Sequence, residues 1–281
     1  MKLVSGKKKM ADSYAALLNK VRESKPLVHH ITNYVTVNDC ANITLAIGAS
    51  PVMADAVGEA AEIAAVARAV VLNIGTLNER SIPSMITAGK TANAKDIPVV
   101  FDPVGAGVSK LRNDTAASIT GELKLSVIRG NISEIKFVAG LSSRTKGVDA
   151  SESDIAGADS AGKIAQTLAR RLGCVVVISG AVDAVSDGKK TVFVENGHPM
   201  LGSLTGTGCM CSSLIGSFCG AAPEEPFAAA VAAMMCMGIA GEMAYENAGQ
   251  RGNGSFRAAL HDAISRMDVA TLEKLARYHE A

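Results

Sequence analysis

Short apolar runs separated by helix-length stretches set the rhythm of this chain. Residues 26–32, 49–54, 69–75, 97–102, 125–128 and 174–179 are strand-length and mostly apolar, as in strands covered on both faces. Between them Val37 to Ile47, Gly58 to Arg68, Ser81 to Ala94, Thr115 to Leu123 and Asn131 to Phe137 carry apolar residues at helical spacing. An amphipathic helix, Ala11 to Lys20, precedes the first strand. A patch rich in Gly, Ser, Asp and Ala, Gly140 to Gly162, interrupts the rhythm, either as a surface excursion or as the start of a helix ending near Leu172. Ala184 to Ser186 and Thr191 to Glu195 read as a hairpin around Asp187-Gly188, and from Gly208 onward nearly everything reads as helix. Strand and helix alternating in this way imply an α/β fold: a parallel central sheet, right-handed crossovers, and helices on both faces. Ligands in such sheets bind at the carboxyl ends of the strands.

The residues predicted at those ends are polar and followed by glycine turns. Asn73-Ile-Gly-Thr-Leu77, Asp102-Pro-Val-Gly-Ala-Gly107, Arg129-Gly-Asn-Ile-Ser-Glu134 and Ser179-Gly-Ala-Val-Asp183 each close a strand. Asp102 suits a water-mediated Mg²⁺ anchor or a cap for the following loop. Asn131 and Glu134, three apart, share the first turn of a helix and suit the waters of the same Mg²⁺, or else a local capping box. Arg129 suits a phosphate or a surface carboxylate. In Leu204-Thr-Gly-Thr-Gly-Cys-Met-Cys-Ser-Ser213, Gly206, Thr207 and Gly208 lead into a helix whose free N–H groups favour an anion. The alternative is a glycine turn packed against a neighbouring helix. Cys209, at the helix start, is placed for an acidified thiol or for positioning a substrate hydroxyl.

Composition narrows the partners. Across 281 residues the net charge is +1, hydrophobic residues make up 48% and aromatics 4%, and there is no Trp. The balanced charge carries no footprint for nucleic acid or an anionic membrane, so small molecules or copies of the chain itself are the expected partners. The six cysteines lack zinc-site or disulfide spacing and read as reduced thiols in the cytoplasm. Residues 1–10, with Lys7, Lys8 and Lys9, read as a disordered basic tail rather than a signal peptide. The apolar run Phe227 to Tyr245 contains Glu242 and reads as part of a buried helix pair, not a membrane span.

Several motifs are set aside. Gly157 to Ile164 has Walker A spacing, but Ile164 cannot ligate Mg²⁺ and no strand precedes the stretch. Gly89-Lys90-Thr91 has the right ending, but Ser84 stands where the first glycine belongs. His29 and His30 read as a strand pair with one ring in and one out, and His198 beside Pro199 is uninformative.

With these residues in place the chain resembles the hydroxyethylthiazole kinases of the ribokinase-like superfamily, from about Pro26 to the C-terminal helices. The motifs that carry the resemblance are His30-Ile-Thr-Asn-Tyr-Val35, Ser50-Pro-Val-Met53, Leu72-Asn-Ile-Gly-Thr76, Asp102 to Gly107, Arg129 to Glu134 and Thr205-Gly-Thr-Gly-Cys209. The resemblance implies a single ribokinase-like domain over residues 1–281, a three-layer α/β/α fold with a mostly parallel central sheet. It implies ATP-dependent phosphorylation of the hydroxyl of 4-methyl-5-(2-hydroxyethyl)thiazole, with Mg²⁺, in thiamine salvage. Met53 and Gly206 look like thiazole contacts with Asn33 and Val35 beside them, and Arg129 and Ser179 look like ATP contacts. Asn131, Glu134 and Asp102 look like the metal side, and Gly206 to Gly208 like the anion hole. The family also implies a homotrimer with sites between subunits.

One departure from the wider superfamily is Cys209, where an aspartate base usually stands. It sets this chain apart from hydroxymethylpyrimidine and sugar kinases, and from the nicotinamide-hydrate dehydratases that share the fold. Its expected role is to orient the hydroxyl and to assist weakly in moving its proton.

Overall fold

In a computed structural model, which describes residues 14–141 and 158–281, the strands form one sheet. They are β1 (Leu27–Ile31), β2 (Ser50–Met53), β3 (Ala69–Asn73), β4 (Val99–Asp102), β5 (Val127–Asn131), β6 (Val175–Ser179), β7 (Asp183–Ser186), β8 (Thr191–Val194) and β9 (Tyr278–Glu280). Their spatial order is β2-β1-β3-β4-β5-β6-β7-β8-β9. Pairing is parallel from β2 through β6 and antiparallel from β6 to β9, so the sheet is mostly parallel, as expected. The β7–β8 hairpin turns at Asp187-Gly188, where Gly188 has φ +87°.

Alternation along the strands divides the core in two. Val28, Ala69, Val71, Val100, Val127 and Val177 face one helical layer, and Val70, Leu72, Val99, Phe101, Ile128 and Val176 face the other. The first layer contains α1 (14–24), α2 (Val37–Ile47), α8 (Thr207–Ala221), α9 (Pro226–Ala248) and α10 (Asn253–Arg266), with α11 (Val269–Leu275) at its margin. The second contains α3 (Val57–Val66), α4 (Ser81–Ala94), α5 (Lys110–Glu122), α6 (Ile132–Val138) and α7 (Ala158–Leu172). Because both faces are covered, His29 and His30 are both buried, which corrects the in-and-out reading. His29 Nε2 meets Ala54 O at 2.7 Å, and burial drives the His30 pKa down to about 3.

Three differences from the expected elements matter most. α5 starts at Lys110, five residues ahead of Thr115, with Ser109 accepting the Arg112 N–H as its cap. β5 runs on to Asn131, so Arg129 is a strand residue and Asn131 caps the helix directly behind it. β9 leaves no signal in the sequence because three residues after a long helical region carry no periodicity, and β8 supplies their pairing. The basic stretch 1–10 and most of the Gly140–Gly162 patch, residues 142–157, lie outside the described residues. Ala158 to Ile164 and Gly89 to Thr91 fall inside α7 and α4, so neither Walker-like stretch is a phosphate loop.

α8 determines where the site lies. Every residue from Cys209 to Gly220 is buried. Its close neighbours change along its length: Arg129 at Gly208, Val71 and Val28 at Gly216, and Pro26 and Ala69 at Gly220. The helix therefore runs against the parallel strands, and its N-terminus opens at their carboxyl ends. α9 is long and apolar enough to cross a membrane, yet 83% of its apolar window is buried inside the protein.

Candidate active site

Gly206 is the N-cap of α8 and adopts φ +88°, a conformation strained for any side-chain-bearing residue. A Cβ there would sit 2.5 Å from Thr36 Cγ2. One at Gly208 would sit 2.5 Å from Arg129 Nη1. The cradle is therefore shaped by α2's approach on one side and by a guanidinium on the other, and it presents the free N–H groups of the first helical turn. Thr207 closes it from behind, its hydroxyl donating to Leu201 O at 3.0 Å.

Facing the cradle, Arg129 donates from Nη2 to Ser179 Oγ at 2.7 Å. Its Nε is buried and has no hydrogen-bond partner among the described residues. Asp102, fully buried at the end of β4, accepts on Oδ2 from Asn73 Nδ2 and Ser212 Oγ, both at 2.8 Å, while its Oδ1 has no partner among the described residues. Burial pushes its pKa up, against the pull of Arg129, Ser212 and Asn73.

Asn131 and Glu134 form a capping box on α6. Asn131 Oδ1 accepts from Glu134 N at 2.9 Å, and Glu134 Oε2 accepts from Asn131 N at 2.8 Å. Glu134 Oε1 also accepts from Gly105 N at 2.8 Å, which ties the loop after β4 to α6. Burial and the neighbouring Asp102 raise its pKa to about 7, in spite of these donors and Arg129.

Cys209 is surrounded by amides. The Nδ2 atoms of Asn33 and Asn73 each reach its sulfur at 3.3 Å, and Asn33 Nδ2 also donates to Asn73 Oδ1 at 3.0 Å. Burial and Asp102 push the thiol up, more than Thr36, Asn33 and Arg129 pull it down. The acidified thiol expected at a helix start is not what this environment makes: a buried sulfur beside a carboxylate outweighs the helix end. Cys40, Cys211, Cys219 and Cys236 are pushed up by burial to about 12.

Most of these groups line one cavity of about 620 Å³. It brings together Asn33, Val35, Asp102, Arg129, Asn131, Glu134, Ser179 and residues 206–209. Met53 is not on its wall; it ends β2 at the edge of the sheet, in register with His30. A second cavity of about 490 Å³ shares Arg129, Ser179, Thr207 and Gly208 and continues toward Asp183, Met234 and Met237. Glycine-turn spacing points to the strand ends but not to Thr36, Ser212 or Arg112. Thr36 and Ser212 enter through the fold of α2 and α8. Arg112 sits in a helix start with no motif around it.

Comparison with known proteins places the chain. Residues 18–270 match the Hydroxyethylthiazole kinase family. The hydroxyethylthiazole kinase of Ruminiclostridium cellulolyticum is 59% identical over 264 residues, 94% of this chain and 96% of that protein. The one from Clostridium beijerinckii is 57% identical over 266 residues, again 94% and 96%. The solved hydroxyethylthiazole kinase of Pyrococcus horikoshii superposes with a TM-score of 0.86 at 40% identity, covering 95% of this chain and 98% of that one. A pyridoxal kinase of Bacillus subtilis, solved with ADP, matches at TM-score 0.57 and 18% identity over 76% and 90% of the two chains, a likeness of fold alone.

Proposed function

The chain belongs to the hydroxyethylthiazole kinase family, and from that we infer its reaction: transfer of the terminal phosphoryl group of ATP to the hydroxyl of 4-methyl-5-(2-hydroxyethyl)thiazole, in thiamine salvage. The observation that carries this reading is the cradle of Gly206 to Gly208, opening onto the same cavity as Arg129, Asp102 and Glu134. Phosphoryl transfer depends chiefly on positioning and charge stabilisation, and those are what this cavity supplies.

In this reading the alcohol lies beside Asn33, Val35 and Gly206 with its hydroxyl toward Cys209. The nucleotide base enters the cavity bounded by Met234 and Met237, and Arg129 with Ser179 meets the phosphates at the junction. The N–H groups of residues 206–208 stabilise charge on the transferred group. Cys209 orients the hydroxyl; a thiol held protonated by burial is a poor proton acceptor, and a loose transition state needs little help of that kind.

Mg²⁺ fits this donor set. The buried Asp102 Oδ1 lacks a partner among the described residues, and the nearby donors of Asn131 and Glu134 are oxygens of the hard type this ion takes. No cluster of three or more His, Cys, Asp or Glu side chains able to hold a metal exists among the described residues, which suits an ion held largely by nucleotide phosphates and water. Bound there, the ion would neutralise phosphate charge.

The assembly we propose is a homotrimer with sites between subunits. Tyr34, Val35 and Val57 are 77%, 57% and 56% exposed at the carboxyl end of the sheet, next to the unpaired edge of β2 that carries Met53. Covering this apolar edge with a second copy would make Met53 a thiazole contact in a shared site. Six buried, unpaired cysteines suit the reducing cytoplasm. The test is ADP release from ATP and Mg²⁺ with a panel of thiazole, pyrimidine and sugar alcohols; absence of turnover with the thiazole alcohol would refute the reading.

A further inference from the structure

Arg112, the third residue of α5, lies outside the cavity wall, yet its guanidinium is bound to the loops that form it. Nη1 donates to Ile74 O at 2.8 Å and to Val104 O, and Nη2 donates to Gly75 O. Three carbonyls on two separate loops, one after β3 and one after β4, therefore converge on a single side chain.

Each loop carries a different half of the site. In the first, Gly75 N donates to Asn73 Oδ1 at 2.9 Å, and Thr76 Oγ1 accepts from Tyr34 N at 3.2 Å. Gly75 also packs so tightly on Asn33 that a Cβ would come within 2.8 Å of it. This loop thus fixes Asn33 and Asn73, the two amides at the Cys209 sulfur. In the second loop, Gly105 N donates to Glu134 Oε1, and Gly105 holds φ +71° with Arg112 itself filling the space where a Cβ would point. This loop fixes Glu134.

We propose that Arg112 is a positioning residue that locks the loop after β3 to the loop after β4, holding the half of the site that carries Asn33 and Asn73 in register with the half that carries Glu134. The proposal rests on the phosphotransfer reading above. A planar guanidinium reaches three carbonyls at once because its donors leave in fixed, divergent directions. Lysine keeps the charge but gathers its donors on one freely rotating nitrogen, without the fixed fork that meets Gly75 O beside Ile74 O and Val104 O. Burial lowers the Arg112 pKa, and the Glu134 carboxylate opposes that shift.

The test compares Arg112→Ala and Arg112→Lys with the unaltered enzyme by steady-state kinetics, thermal melting and hydrogen-exchange mass spectrometry. Misplacing reacting groups by about 1 Å lowers turnover on the order of a hundredfold, so kcat should fall about ten- to a hundredfold in both variants. Exchange should rise in segments 74–77 and 103–107 while β1 and β6 stay as protected as before. Guanidinium ion below denaturing concentration should restore part of the alanine variant's kcat, and NaCl at the same ionic strength should not. Kinetic constants within about twofold of the unaltered enzyme, or a loss wholly explained by a smaller folded fraction without local change in exchange, would overturn the proposal. If the alanine variant does not fold, Arg112→Lys carries the test. Failure of the unaltered enzyme to phosphorylate the thiazole alcohol would remove the phosphotransfer reading instead, and the exchange data would still decide the clamp.

Discussion

The Cys209 sulfur lies 3.3 Å from the side-chain nitrogen of Asn73, the same nitrogen that donates to Asp102 at 2.8 Å. One amide therefore couples the group beside the substrate hydroxyl to the buried carboxylate proposed for the metal side. Asn73→Ala removes both bonds and leaves Asp102 Oδ2 with Ser212 alone. Asn73 is one of the groups that hold the Asp102 pKa down, so its loss raises that pKa further and shifts ionisation to higher pH. The expected outcome is a drop in kcat/KM on the order of tenfold that becomes smaller as pH rises. A pH–rate profile checks it, and a uniform loss at all pH values would speak against the coupling.

Cys209→Ala should behave differently. The thiol is already held up by burial, so removing it takes away an orienting contact and no titrating base. Turnover should fall by about threefold to tenfold, with the shape of the pH profile unchanged. Full turnover in the variant would end the orienting role, and loss of one limb of the profile would show that Cys209 does move the proton.

Much of the site is legible in the sequence because parallel sheets collect function at one end. Asp102, Arg129 and Ser179 can be placed from the ends of apolar runs, and Gly206 to Gly208 from the entry to a helix. The functions of Asn73 and Arg112 cannot. Asn73 is visible as a polar strand end, but its partners, Cys209 and Asp102, are 136 and 29 residues away, and only the parallel register that sets Asn73 opposite Asp102 makes the network apparent. Arg112 acts on backbone carbonyls, which leave no trace in side-chain patterns. The Asn131–Glu134 spacing is legible but ambiguous. The capping box shows that its local explanation is true, without removing the functional one.

Stability and pH are linked through Asp183, the first residue of β7. Burial raises its pKa from 3.8 to about 7, against Gly180 N–H and Arg129. A folded value above the unfolded one means that the native state binds the extra proton, so the contribution is fully present below about pH 4 and is lost as pH rises through about 7. The ligand-free protein should therefore melt at a higher temperature at pH 5.5 than at pH 8. For Asp183 the difference is at most a few kcal/mol, at about 2–4 °C per kcal/mol for a protein of this size. Asp183→Asn keeps the acceptor for Gly180 N–H and removes the titration, so its melting temperature should vary less over the same range. Equal slopes in calorimetric scans of the two proteins would show that Asp183 titrates normally.

Asn131 allows its two roles to be separated by choice of substituent. As the N-cap of α6 it accepts the Glu134 N–H at 2.9 Å, and serine is about as good a cap as asparagine. Alanine is not, and it should destabilise the protein by about 1 kcal/mol. Serine's side chain is one atom shorter and reaches less far into the cavity that Asn131 lines. If Asn131 were only a cap, Asn131→Ser would match the unaltered enzyme in melting temperature and in activity. The expected result is a melting temperature within about 2 °C of the unaltered enzyme together with an apparent Mg²⁺ requirement raised about tenfold. Asn131→Ala should show the same Mg²⁺ shift with the added loss of stability. Titrating Mg²⁺ at saturating ATP in all three proteins reads the metal role, and thermal scans without nucleotide read the cap. An unchanged Mg²⁺ requirement in the serine variant would reduce Asn131 to a helix cap and leave Asp102 and Glu134 to serve the ion alone.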